Sequence, residues 1–287
     1  MPIIIGILIL SSLFSPLIPN FVPEKSIVPV SQVKAEEIPP LEMKAKGVYV
    51  ENSKTAEAII EYKEDETWPI ASLTKVMTAL VYLEENPNLN KVVTLTEADQ
   101  VEGAALLSRT GTKFRAYDLL NASLMASANN ATNVLAREGT DLTLEQFIEK
   151  MNGRAKELGL KQTRFVEPTG INPDNRSTPK EYAVIINKAL ANPIIHQIMT
   201  STYYEIKPLG KASFPIGTSN KLLKEPQNFE VEGGKTGFTY GSDYNFAAKM
   251  KKGDTEVTVV VFGDESLSTA IENSKKLATE ALEKSGE

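Results

Sequence analysis

Apolar residues recur along this chain with two periods, and the change between them marks out its elements. From Ala45 the spacing is short: Gly47-Val48-Tyr49-Val50 and Ala58-Ile59-Ile60-Glu61-Tyr62 predict two paired strands. The turn-forming stretch Glu51-Asn52-Ser53-Lys54 lies between them. Pro69-Ile70-Ala71-Ser72 then opens a helix whose apolar face is Leu73, Val76, Met77, Leu80, Val81 and Leu83. Residues 96–199 keep the helical period, with segments predicted over 117–126, 131–137, 144–158 and 179–191. Gly103, Gly139, Gly159 and Pro168-Thr169-Gly170 mark the loops. Strand patterns return over 203–207, 231–237, 244–250 and 257–262, and a helix from about Leu267 to Leu282 closes the chain. Strands at both ends and helices between them predict an α/β (α+β) fold: one sheet assembled from both termini, with a helical lobe inserted. The closing helix turns Leu267, Ile271, Leu277, Ala278, Ala281 and Leu282 to one side and lacks a basic face, so it is expected to pack on the sheet.

The N-terminus follows a different pattern. Residues 3–18 are an uncharged apolar run interrupted by Gly6, Ser11, Ser12, Ser15 and Pro16. Pro19, Pro23 and Pro29 follow it, then Val33-Lys34-Ala35. With Val33 and Ala35 as the small residues before a cleavage point, residues 1–37 are expected to be a signal peptide plus linker. An uncleaved N-terminal membrane anchor is the open alternative, since no Lys or Arg precedes the run. Either places the body, residues 38–287, outside the cytoplasm, where a domain this large needs no disulfide staples.

Composition removes chemistries. Of the 287 residues none is Cys and one is His. Disulfides, thiolate nucleophiles and Cys-bound metals are thereby excluded, as is a zinc site built from several histidines. A net charge of −6 argues against nucleic acid as a partner. The chemistry left rests on Ser, Lys, Thr, Asn and carboxylates, with no metal and no cofactor expected. His196, in the apolar helical context Asn192-Pro193-Ile194-Ile195-His196, has no matching partner in sequence and reads as structural.

Three short motifs could carry that chemistry. In Ser72-Leu73-Thr74-Lys75 a helix brings the Lys75 amine to the Ser72 hydroxyl, and a desolvated lysine can serve as the base a serine nucleophile needs. A helix start would also direct backbone N–H groups at developing negative charge. The spacing recurs at Ser31/Lys34 and Ser177/Lys180, but only Ser72 opens an amphipathic helix, and an N-capping serine beside a solvated lysine is the plainer alternative. Ser127-Ala128-Asn129 falls between two helical segments, where it reads equally as a helix cap or as a proton relay beside a carbonyl holder. Gly233-Gly234-Lys235-Thr236-Gly237-Phe238-Thr239 is a strand that either lets a ligand come close, offering a cation and a hydroxyl to an anionic terminus, or is a bulged edge with an exposed lysine.

In order and context the three resemble the Ser-x-x-Lys, Ser-x-Asn and Lys-Thr-Gly signature of penicillin-binding proteins and class A β-lactamases. The wider match, over about 45–282, is to the D-alanyl-D-alanine carboxypeptidases of low molecular weight. It includes Pro69 to Thr78, Asp118-Leu119-Leu120, Asn130-Ala131, Met151-Asn152, Leu158-Gly159-Leu160, Thr163-Arg164-Phe165 and Gly170-Ile171. The resemblance implies a β-lactamase/DD-peptidase-like fold with an antiparallel sheet, and a catalytic domain over 38–287. It implies that Ser72 attacks the peptide bond between two D-alanines with Lys75 as base, and that Ser127 passes the proton to the leaving group. Asn129 would orient the substrate amide, and Lys235 and Thr236 would bind the terminal carboxylate. Gly237 would border the same site, and the backbone amides of Ser72 and Phe238 would form the oxyanion hole. The partners implied are a peptidoglycan stem peptide ending in D-Ala-D-Ala and β-lactams as inhibitors. Two positions depart from the family pattern: Ala128 stands where Gly is common, and Asn130 where Asp is common. Members often carry a further β-rich domain and a C-terminal amphipathic anchor, so membrane attachment here is expected through the N-terminus.

Three alternatives stay open. A DD-endopeptidase would use the same residues on cross-links. A β-lactamase would need a deacylating carboxylate, for which Glu167 is the candidate. A non-catalytic wall-binding protein would carry the motifs without turnover.

Overall fold

The computed structural model describes residues 44–284. The leader or anchor expected over 1–37 lies outside the described residues.

Five strands make one antiparallel sheet in the order β2 (Ala58–Tyr62), β1 (Gly47–Asn52), β11 (Thr255–Asp264), β10 (Asp243–Lys252), β9 (Glu230–Thr239). The sheet is assembled from both ends of the chain, as the pattern predicts. Alternation along β11 divides the molecule into two cores. Val257, Val259 and Val261 face α7 (Leu267–Lys284), together with Val48, Val50, Phe246, Ala248 and Met250. Val260 and Phe262 face the helical lobe with Tyr49 and Ala247. With both faces covered, β11 is buried from Val257 to Asp264, and Val259 to Phe262 form a continuous apolar run within it. The closing helix packs on the sheet.

The lobe contains α1 (Thr74–Glu84), α2 (Ala116–Met125), α3 (Asn129–Glu138), α4 (Leu144–Glu157), α5 (Pro179–Leu190) and α6 (Pro193–Thr200). Three two-stranded ribbons edge it: β3 (Trp68–Pro69) with β6 (Arg176–Ser177), β4 (Val92–Thr94) with β5 (Lys113–Arg115), and β7 (Tyr203–Ile206) with β8 (Phe214–Gly217). The strand expected at 203–207 therefore pairs locally with β8 and stays out of the main sheet. The helix expected to be amphipathic differs too. Every residue of α1 from Thr74 to Leu83 is buried, because α2, α3, α4 and α5 pack around it. It is the axle of the lobe, and Lys75 on it is fully buried.

The approach to α1 is fixed by contacts with distant chain. Trp68 Nε1 donates to the Ser242 carbonyl (2.8 Å), and Asn245 Nδ2 to that of Pro69 (3.0 Å). Ile70 N–H bonds the Asn175 carbonyl (3.0 Å), and the Tyr182 hydroxyl on α5 donates to the Leu73 carbonyl (2.8 Å). These bonds seat the segment before α1 between the sheet and the lobe.

Candidate active site

Ser72 lies in a single 3-10 turn, Ala71–Leu73, that leads directly into α1. Ala71 there has φ of 49°, and Ser127 in the α2–α3 turn has φ of 60°. A left-handed backbone at a non-glycine residue costs about 1 kcal/mol or more, so the surroundings must hold both turns in place. Two glycines allow the close approach. Gly170, at φ of 90°, lies against the turn so tightly that a Cβ would be 1.8 Å from the Ala71 carbonyl oxygen. A Cβ on Gly237 would meet Leu73 Cδ1 at 2.8 Å and the Ile70 carbonyl oxygen at 2.9 Å, so β9 can run beside the serine only with glycine there.

Lys75, the second residue of the buried axle, is fully enclosed. Its Nζ is 2.9 Å from Ser72 Oγ, 2.7 Å from Asn129 Oδ1 and 2.6 Å from the Thr169 carbonyl oxygen. Asn129 Nδ2 donates to the Glu102 carbonyl (2.7 Å), which turns the amide oxygen toward Lys75. A neutral amine has two hydrogens and one lone pair, whereas an ammonium has three hydrogens. The Asn129 and Thr169 oxygens only accept, so in the neutral form they can take both hydrogens and leave the lone pair to the Ser72 hydroxyl, whereas an ammonium would donate to all three oxygens. Burial pushes Lys75 well below the ordinary lysine range, the charge of Lys235 pushes it further, and Glu167 opposes them.

Lys235 is also enclosed, and β9 turns it inward, not outward as an exposed edge lysine. Its Nζ donates to Ser127 Oγ (2.9 Å) and to the Thr236 carbonyl (3.0 Å), and burial lowers it to about 7. The hydroxyls of Thr236 and Ser219 are 2.7 Å apart. Ser72, Ser127, Asn129, Thr236, Gly237 and Phe238 line one cleft of about 490 Å³, with Ile171 and Tyr244 on its walls. Phe238, partly exposed, stacks on Tyr244 at a centroid distance of 4.3 Å and forms the rim. β9 is the edge strand of the sheet, so its outer side is free of a neighbouring strand where it borders the cleft.

All eight residues singled out from sequence thus meet around one cleft or directly beneath it. Two partnerships are not legible in the sequence. Ser127 bonds Lys235, and Asn129 has both ends of its amide engaged, one with Lys75. The two departures from the family pattern also have local reasons. Ala128 has φ of −66°, which needs no glycine, and its methyl is buried in the core. Asn130 accepts from Leu106 N–H (2.9 Å) and donates to the Leu106 carbonyl (3.0 Å) and to Gln100 Oε1 (3.2 Å). An aspartate there could accept but could not donate. Sequence reading misses the Thr169 carbonyl, the Glu102 carbonyl and Ser219, which reach the site through backbone or from separate loops; Gly170 is the one signal that this loop comes close. His196 has a neighbour that its sequence context does not show, Glu232 Oε2 at 3.1 Å on β9. Among the described residues, no cluster of His, Cys, Asp and Glu is arranged to hold a metal ion, and no helix is long and apolar enough to cross a membrane.

A serine hydrogen-bonded to an enclosed lysine, with a second enclosed lysine on the bordering edge strand, here sits in a fold shared with solved DD-peptidases. The sequence comparison narrows this: the chain belongs to the D-alanyl-D-alanine carboxypeptidase family, peptidase family S11, whose profile matches residues 32–266. It is 31% identical over 231 residues to the D-alanyl-D-alanine endopeptidase of Haemophilus influenzae, covering 79% of this chain and 77% of that protein. It is 30% identical over 226 residues to the D-alanyl-D-alanine carboxypeptidase DacF of Bacillus subtilis, covering 76% of this chain and 57% of that one. Among solved structures, a Streptomyces DD-transpeptidase superposes with a TM-score of 0.76 at 26% identity, covering 83% of this chain and 96% of that one.

Proposed function

We propose that the chain is a serine D-Ala-D-Ala carboxypeptidase that removes the terminal D-alanine from peptidoglycan stem peptides. In this reading Lys235 and Thr236 bind the substrate's terminal carboxylate, and Asn129 orients the amide on the acyl side by exchanging one of its present hydrogen bonds. The Lys75 lone pair takes the hydroxyl hydrogen as Ser72 Oγ bonds to the carbonyl carbon. Charge developing on the carbonyl oxygen is met by the Ser72 and Phe238 amides. The carbon–nitrogen bond then breaks, and the proton passes by way of Ser127 to the departing amine of D-alanine. Water cleaves the Ser72 ester, releasing the shortened peptide and restoring the hydroxyl. The observation that supports this best is the 2.9 Å contact between Ser72 Oγ and an enclosed Lys75 whose hydrogens already have two acceptors.

A second reading, DD-endopeptidase, is favoured by the name of the Haemophilus relative. The chemistry is identical except that the departing amine belongs to a neighbouring stem peptide. Either substrate places the chain outside the cytoplasm, with residues 1–37 as leader or membrane anchor. The test is to incubate the full chain with a D-Ala-D-Ala-ended peptide, with a cross-linked dimer and with a labelled penicillin. Release of D-alanine and a long-lived adduct, both lost in Ser72→Ala, support the carboxypeptidase. Cleavage of the dimer alone assigns the endopeptidase. Rapid penicillin turnover without D-alanine release would make it a β-lactamase, and wall binding without any turnover a non-catalytic protein.

A further inference from the structure

Among the described residues Glu167 is the carboxylate whose charge acts on Lys75, and its oxygens are committed to the loop that reaches the lysine. Oε2 accepts from the Thr169 amide (2.7 Å) and hydroxyl (2.6 Å). Oε1 accepts from the Gly170 amide (2.5 Å) and from Asn175 Nδ2 (2.7 Å), with the Asn172 amide at 3.4 Å. Asn175, fully buried, closes the loop: its Oδ1 accepts from the Val166 amide (2.7 Å), and its carbonyl holds the Ile70 amide before the serine turn. The outcome is that the loop meets the serine turn and its lysine at two points: the Thr169 carbonyl against Lys75 Nζ and the Gly170 backbone against the Ala71 carbonyl. A carboxylate with five donors has no lone pair directed at a water on the Ser72 side, so this arrangement does not suit a deacylating base.

We propose that Glu167 is a positioning residue for acylation: by anchoring Thr169 and Gly170 it sets the carbonyl that fixes the orientation of the Lys75 amine. The inference rests on Lys75 being the base. The charged groups that face Lys75 are Lys235 from β9 and Glu167 from this loop; α3 presents the neutral Asn129. Glu167→Gln removes one of those charges and turns an N–H₂ toward donors, so the loop loses its anchor and Lys75 loses an anion that favours its proton.

The test is the second-order rate of Ser72 acylation by a fluorescent penicillin, followed across the acid and neutral range. For Glu167→Gln the expected loss at the optimum is about tenfold or more, with the acid limb moved to lower pH and deacylation unchanged. A wild-type rate with an unmoved limb overturns the proposal, as does a rate loss with an unmoved limb, which would leave Glu167 a mere support of the fold. Normal acylation with stalled deacylation also overturns it and makes Glu167 the deacylating base. Should Glu167→Gln fail to fold, Thr169→Val decides. It keeps the carboxylate and the backbone carbonyl and removes only the hydroxyl anchor, so a loss of a few-fold with the limb in place supports the proposal and a wild-type rate overturns it. An unacylated wild type would sink the acyl-transfer reading itself, a result distinct from all of these.

Discussion

Replacing Lys235 by methionine should make the protein more stable at neutral pH while destroying its activity. The Lys235 side chain is 1% exposed and has two hydrogen-bond acceptors but, among the described residues, no anion beside it. Burial lowers its amine from 10.5 to about 7. Between those values the unfolded chain binds more protons than the folded one, so stability rises with pH across that window; below it the full cost of the buried charge applies. At pH 7 the linkage amounts to about 4 kcal/mol against the folded state. Methionine keeps the length and removes that cost, but forfeits two hydrogen bonds worth about 1 kcal/mol each. The net gain is about 2 kcal/mol, or a Tm about 4–8 °C higher for a body of this size. Lys75 gains as well, because a neighbouring positive charge is gone. Near pH 10.5 the gain disappears, and the variant should be the less stable protein by about 2 kcal/mol. Calorimetric melts of wild type and Lys235→Met from pH 7 to pH 10 should therefore converge and cross. Parallel curves with the variant lower at every pH would refute the reasoning, because the lysine would then be a well-paired cation and not a desolvated one.

Other outcomes follow from single contacts. Asn130→Asp keeps the bond from the Leu106 amide but loses both donated bonds, so it should cost about 1–3 kcal/mol and speed hydrogen exchange in the loop around Leu106. Gly170→Ala puts a methyl into the Ala71 carbonyl and should lower the acylation rate at least about a hundredfold, read by penicillin labelling, because it displaces the serine turn. Since Lys235 titrates at about 7 in the free protein, kcat/KM for a carboxylate-ended peptide should fall on the alkaline side, while an amide-ended analogue should show no such limb. An identical limb for both would remove Lys235 as the carboxylate's partner.

The legible parts of this fold are those where one element settles its own burial. β10 and β11 follow from their apolar stretches and α7 from helical spacing because each meets the sheet core along its length. α1 reads as amphipathic and is buried all round, since Thr74, Lys75 and Thr78 look like a polar face until α4 and the loop before α5 cover them. The strand pattern at 203–207 is real, but nothing in it says that Phe214–Gly217 would be its partner rather than the main sheet. The site shows the same division. Ser72 with Lys75, Ser127 with Asn129, and Lys235 with Thr236 are local pairs visible as motifs. The Thr169 carbonyl lies 94 residues from Lys75 and acts through backbone, which leaves no side-chain mark. Glu167 stands out in sequence only as a candidate base, and the donors that surround it become visible only once the loop is folded.

The central claim is that Ser72 becomes acylated with Lys75 as its base. Intact mass and peptide mapping of the full chain after brief exposure to a penicillin test it most directly, with Ser72→Ala and Lys75→Met measured alongside. The account expects one penicilloyl group per chain on the Ser72 peptide, none in Ser72→Ala, and labelling slowed by at least about a thousandfold in Lys75→Met. An adduct on another residue, or labelling of Lys75→Met at the wild-type rate, would contradict it.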